Sequence, residues 1–221
     1  MEDLFFFDIE TCGQYRDYNT FLLEDPRGSE LFRKKFIKNE WDKKYESIDK
    51  AYLENASIIS SYGRICCISF GYMDMNKEKR ISSYWGPDEK NIVNSFNEWL
   101  KKIERKKFKL CGFRILYFDI PWILHKLHKY DIIPADIIYP YSKKPWDMRV
   151  VDLADDWKGK FAWNGTFDES LYELGLPSPK DEINGSEVHR YYHDGMYDTI
   201  KKYCKKDVAS CIDMAEKMYV F

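Results

Sequence analysis

Leu4-Phe5-Phe6-Phe7-Asp8-Ile9-Glu10-Thr11 is an apolar, aromatic run suited to a β-strand, and Cys12-Gly13 lead from it into a loop. Side chains alternate faces along a strand, so Asp8 and Glu10, two apart, project the same way beyond the run. Two carboxylates on one face repel each other unless a cation or a basic group lies between them. Taken alone, an ordinary acidic turn after a strand explains the pair as well.

Outward from this first, central strand, 14–60 turns polar and charged. There Trp41, Tyr45, Ile48 and Tyr52, spaced 4, 3 and 4, predict one amphipathic helix in an excursion that reads as a flap. A β-rich stretch at 64–72 and another at 79–85 form a hairpin across a polar turn. A helix follows at 87–105, a short strand at 108–113, and a helix starting at Asp119-Ile120-Pro121 with Asp119 as N-cap. A strand at 149–153, a short helix at 167–174 stopped by Gly175, a loop at 176–186 and a closing helix at 196–218 complete the order. Strands alternating with helices in this way predict a mixed α/β sheet covered on both sides.

Composition narrows the class. In 221 residues, 44% are hydrophobic and 35 basic side chains balance 37 acidic ones, so the chain is globular and its net charge of -2 gives no bulk attraction to duplex nucleic acid. No apolar run reaches the roughly 20 residues that span a bilayer, and the acidic start Met1-Glu2-Asp3 is unlike a secretory signal, so a cytoplasmic protein without membrane contact is expected. The six cysteines lack C-x-x-C spacing and read as reduced core residues. His125 with His128, and His189 with His193, lack an obvious third ligand and read as structural or surface residues. Lys101, Lys102 and 105–107 read as a solvated helix end. Trp41, Trp146, Trp157 and Trp163 read as packing residues, with base stacking the alternative.

Two further acidic positions break local rules. Phe118-Asp119 follows the 108–113 strand after a short turn, placing a carboxylate at the sheet edge where sites cluster. In the closing helix Ile200, Cys204, Cys211, Ala215 and Met218 define a buried stripe, and Asp207 falls on it where an apolar residue belongs. A buried aspartate needs a partner or a metal. A lysine partner, Lys205 or Lys206, serves as well as a cation. Tyr203, one turn earlier, can reach the same space. Four carboxylates from three segments are what two hard divalent cations require to clamp a phosphodiester. Lys201, Lys202, Lys205 and Lys206 around Tyr203 read either as a basic rim for a phosphate backbone or as solvated lysines.

With these residues in hand, the chain resembles the DEDD superfamily of 3′–5′ exonucleases, in the branch with tyrosine in its third motif. Within it the resemblance is to predicted bacterial exonucleases related to the proofreading domain of family B DNA polymerases. Phe6-Phe7-Asp8-Ile9-Glu10-Thr11 matches the first motif, Phe118-Asp119-Ile120-Pro121 the second and Tyr203-Cys204-Lys205-Lys206-Asp207 the third. The segments 175–181 and 185–189 also resemble this subgroup.

The resemblance implies a ribonuclease H-like fold, a five-stranded mixed sheet flanked by helices, forming one exonuclease domain over 1–221 with a polar helical insertion at about 14–60. It implies that Asp8, Glu10 and Asp207 hold the metal that activates water, that Asp8 bridges to a second metal held by Asp119, and that Tyr203 orients the water. Thr11, Arg114 and Phe118 fall on substrate-binding positions. The cations implied are Mg²⁺ or Mn²⁺, and the substrate is single-stranded DNA at its 3′ end, with RNA and a binding-only module on the same fold as alternatives and an unidentified replication or repair protein as partner. One departure stands out: Arg114 occupies a place where the family carries asparagine. An arginine there grips a phosphate, or pairs with a carboxylate and competes with metal.

Overall fold

In the computed structural model the aromatic run forms β1 (Leu4–Gly13), the middle strand of a five-stranded sheet ordered β3-β2-β1-β4-β5. The structure describes residues 3–104, 108–139, 144, 147–159, 165–179 and 183–219. β2 (Gly63–Met73) and β3 (Lys79–Trp85) pair antiparallel in turn, while β4 (Lys109–Gly112) and β5 (Val150–Asp152) add in parallel on the other side. This is the ribonuclease H-like mixed sheet that was expected. In the β2–β3 turn the Asp74 carboxylate accepts the N–H groups of Asn76 and Glu78, which closes the hairpin.

Residues 14–60 fold as α1 (Tyr18–Glu24), α2 (Pro26–Lys38) and α3 (Ile48–Asn55). The single amphipathic helix expected through Trp41 and Tyr52 is instead a 3₁₀ turn at Trp41–Lys43 followed by α3. Ser47 makes the break: its hydroxyl caps α3 by accepting from Lys50 N–H. The four aromatic and aliphatic side chains nevertheless share one cluster with Tyr18, Phe21 and Phe32. These helices therefore share one hydrophobic cluster, which also takes in Tyr62 just before β2.

The remaining helices are α4 (Glu89–Ile103), α5 (Asp119–Lys129), α6 (Leu153–Lys158), α7 (Phe167–Glu173), α8 (Val188–His193) and α9 (Tyr197–Tyr219). α6 and α8 are additions to the sequence expectation, and α6 begins where the last strand was extended to 153. Gly175, at φ 70°, takes the left-handed conformation that ends α7. Alternation along β1 sorts the two layers. Phe5, Phe7 and Ile9 pack with α4 and α5, whereas Phe6 faces Val208, Cys211 and Ala215 of α9. Each such aromatic contributes about 2 kcal/mol by leaving water. Parity then sends Asp8 and Glu10, which share the Phe6 side of the strand, toward α9. Among the described residues, no helix is long and apolar enough to cross a membrane.

Candidate active site

Asp8, Glu10, Asp119, Tyr203 and Asp207 line one cleft of about 470 Å³, joined by Ile9, Phe113, Arg114, Tyr117 and Phe118. Three elements deliver them. β1 presents Asp8 and Glu10. The turn after β4 brings Asp119, the first residue of α5, whose N-cap is Phe118 rather than Asp119 itself. The Asp119 carboxylate is not spent as a cap in the expected way: its Oδ1 accepts the buried N–H of Ile9 at 3.0 Å. β4 ends at Gly112, so this bond continues the ladder beside β1 where the neighbouring strand has run out. α9 supplies Tyr203 and Asp207 one turn apart on the same face of the helix, both lining the cleft.

Enclosure and crowding dominate the electrostatics. Glu10 and Asp207 are each 8% exposed and Asp119 3%. Burial, then the Asp207 charge, pushes the Asp8 carboxyl well above the usual carboxylate range. Burial, then Asp8, does the same to Glu10. Burial lifts Asp119 to about 7 against the bonds from backbone N–H groups that favour its ionised form. The Tyr203 phenol is raised by burial and by Asp207, so it stays protonated at neutral pH. A set of oxygen donors that repel one another in a shared cleft suits a hard divalent cation, which would relieve that repulsion and release the protons held there. The donor set fits Mg²⁺ or Mn²⁺.

Cys204, read as a plain core residue, adds a group the sequence reading missed. Its thiol lies 3.4 Å from the Asp8 carbonyl and 3.5 Å from Asp8 Oδ2, and the sulfur with Asp8 and Glu10 oxygens falls within 4.8 Å. Its place directly after Tyr203 was the available signal. β2 also adapts to the site: register slips between Glu10 and Thr11, leaving Cys66 as the extra residue, whose thiol donates to the Glu10 carbonyl at 3.3 Å. Thr11 sits apart from the cleft lining, with its hydroxyl donated to the Ser57 carbonyl. Phe118 lines the cleft and packs on Trp122, ring centroids 5.5 Å apart.

Arg114 lies in the cleft wall, with its backbone at φ 60°. Its guanidinium donates to the Gly165 carbonyl at 2.9 Å. That left-handed conformation is one asparagine adopts more readily than arginine, a backbone reason for asparagine at this place. Asp152 holds the turn: at the end of β5 its carboxylate accepts from the N–H groups of Arg114, Leu116 and Ala154 at 2.9–3.0 Å. Sequence reading placed Asp152 in a strand and gave it no role, because its partners are distant in the chain.

Elsewhere the outcomes are structural. His189 Nδ1 accepts from Gly13 N–H at 3.0 Å, while the Nε2 atoms of His189 and His193 meet the carbonyls of Arg16 and Gly13. His125 pairs with Ser60, and His128 with Tyr139. Lys201 bonds Asp198 and stands 3.8 Å over the Trp85 ring. Trp41 and Trp157 pack against hydrophobic clusters. Trp146, Trp163 and 105–107 lie outside the described residues. No residue of 14–60, which is fully described, lines the cleft.

Residues 58–212 match the profile of a family described as "Predicted 3′-5′ exonuclease related to the exonuclease domain of PolB". The chain belongs to this family. The match contains Asp119, Tyr203 and Asp207, while Asp8 and Glu10 precede it. "Putative DNA polymerase 060R" of Frog virus 3 (isolate Goorha) is 23% identical over 159 residues, covering 61% of this chain but 16% of the viral protein. Among solved structures, the family B DNA polymerase of the hyperthermophilic archaeon Pyrobaculum calidifontis superposes with a TM-score of 0.61 at 16% identity, over 97% of this chain and 24% of the polymerase. That likeness shows the fold. E. coli exonuclease I in complex with a dT13 oligonucleotide gives a TM-score of 0.48 at 11% identity, over all of this chain and 41% of the exonuclease, too distant to carry an argument.

Proposed function

We propose that this protein is a metal-dependent 3′–5′ exonuclease that hydrolyses single-stranded DNA ends to mononucleotides by a two-metal mechanism. The observation that carries the reading is the convergence of Asp8, Glu10, Asp119 and Asp207 with Tyr203 on one cleft. Asp8, Glu10 and Asp207 would hold one cation; Asp8 would share itself with a second held by Asp119. When bound, Mg²⁺ or Mn²⁺ supplies a nucleophile at neutral pH and offsets charge on the leaving 3′ oxygen. Asp119 gives Oδ1 to Ile9 N–H, which fixes its orientation at the cleft. Tyr203 keeps its proton, so it does not act as the base; lining the cleft one turn from Asp207, its hydroxyl is placed to orient the attacking water. Phe118 and Arg114 form the wall along which the terminal nucleotide would lie.

Family membership, with its relation to the exonuclease domain of PolB, supports 3′–5′ polarity and a DNA substrate. We read 1–221 as one exonuclease domain in which 14–60 is an insertion. The test is a time course on matched 5′-labelled single-stranded DNA and RNA, with Mn²⁺, Mg²⁺ or chelator, beside Asp8→Ala. A metal-dependent ladder shortening from the 3′ end, faster on DNA and absent in the variant, is expected. Faster shortening of RNA would reassign the substrate, and no ladder from folded protein with either metal would sink the enzyme reading.

A further inference from the structure

Tyr117 is a large aromatic side chain left 67% exposed beside a buried carboxylate cluster. It is nonetheless held still. Its hydroxyl donates to Asp155 Oδ2 at 2.9 Å, and the Lys158 ammonium, itself paired with Asp155, stands 5.6 Å from the ring centroid. The turn that carries it is pinned from below by Asp152, which takes the N–H groups of Arg114 and Leu116. The carboxylate cleft does not end at this turn: a second hollow of about 180 Å³, lined by Arg114, Tyr117, Ala154, Asp155 and Lys158, continues it, and Arg114 and Tyr117 belong to both. An exposed ring with a fixed plane, at the junction of two hollows and flanked by two cations, is a surface already arranged for a flat π-system attached to a negative chain.

We propose that Tyr117 is the stacking platform for the nucleobase adjoining the reacting end of a bound single strand, with Arg114 and Lys158 beside its phosphodiester. This rests on the exonuclease reading for which end of the strand enters the cleft. Stacking accepts any base, because each has a π-face, so the platform positions the strand without selecting sequence. It also marks a functional residue outside the three acidic motifs, placed where Phe118-Asp119 is preceded by a further aromatic.

The test compares the full-length wild type, Y117A and Y117F in Mn²⁺ by fluorescence anisotropy on a phosphorothioate-capped dT octamer, which resists hydrolysis. The uncapped octamer is followed on gels in parallel. Y117A is expected to weaken binding about 5- to 150-fold, the range that loss of one base–aromatic stack gives. Y117F, which keeps the ring and drops the Asp155 bond, is expected to recover most of that affinity. Thermal melts accompany each protein, and Y117F carries the comparison should Y117A melt early: affinity lost by Y117F as deeply as by a ring deletion would overturn a stacking role. Equal affinity of Y117A and wild type, with the ladder intact, overturns the platform and leaves the exonuclease standing. Weakened binding by Y117A when the wild type gives no ladder supports the platform and overturns the exonuclease. No binding of the octamer by wild type overturns both.

Discussion

Asp8 is where the carboxylate crowding of the cleft converges. It sits where strand alternation, burial and three other carboxylates meet, and its proton is held well above the usual range by desolvation and Asp207. A carboxyl whose folded value is raised costs stability above its unfolded value: the loss begins near pH 4 and grows as pH rises through about 7, the value Asp119 reaches. Asp8→Asn removes one of the repelling charges. In chelator at pH 8 we expect it to melt about 2–6 °C above wild type, the equivalent of about 1–2 kcal/mol at this chain length. Mn²⁺ should raise the wild-type melting temperature and leave Asp8→Asn nearly unmoved. A variant that melts below wild type in chelator would contradict the account of mutual repulsion.

At the scale of elements, the site depends on how short segments are tied to one another. The β4–α5 turn carries Arg114, Tyr117 and Phe118 and delivers Asp119, yet it is held by two N–H bonds, from Arg114 and Leu116, to Asp152 at the end of β5, which also caps α6 by taking the Ala154 N–H. Asp152→Ala leaves those donors without their acceptor, which should cost about 2–4 kcal/mol in urea melts and lower nucleotide release more than tenfold through misplaced Asp119. Release at the wild-type rate would show that the turn holds itself. This element also shows where sequence reading succeeds and stops. Alternation put Asp8 and Glu10 on one face, and the 3.6-residue period put Asp207 on the buried stripe of α9, because both signals are local. The bond from Ile9 to Asp119 spans 110 residues and that from Arg114 to Asp152 spans 38, and no periodicity within a segment encodes them. The break at Ser47 is hidden differently: four side chains at helical spacing share a cluster, but the capping serine starts α3 only at Ile48, leaving Trp41 in the 3₁₀ turn and Tyr45 in the connection between the two.

Across the whole molecule, α8 fastens the far end of β1 and the start of the 14–60 segment. His189 takes Gly13 N–H on Nδ1 and so carries its proton on Nε2, which donates to Arg16; His193 donates to the Gly13 carbonyl. Burial, then the neighbouring His189, lowers His193 to about 4, and burial lowers His189 as well. The unfolded chain therefore takes up these protons first. Their contribution is complete above about pH 6.5 and is lost as pH falls toward about 4. Because the His193 ring is only half-buried, its part should amount to about 1 kcal/mol, so His193→Gln should flatten the decline in stability between pH 6.5 and 4.5 by that amount. Parallel declines in urea melts would remove the staple from the pH dependence.

On this account carboxylates from three segments together hold two cations. The direct measurement is the number of Mn²⁺ ions bound per chain, counted by electron paramagnetic resonance in the presence of dTMP, for wild type and Asp207→Asn. Two ions on wild type, with at least one lost from the variant, is the predicted result. No bound Mn²⁺ at millimolar concentrations, or equal counts in the two folded proteins, would contradict it.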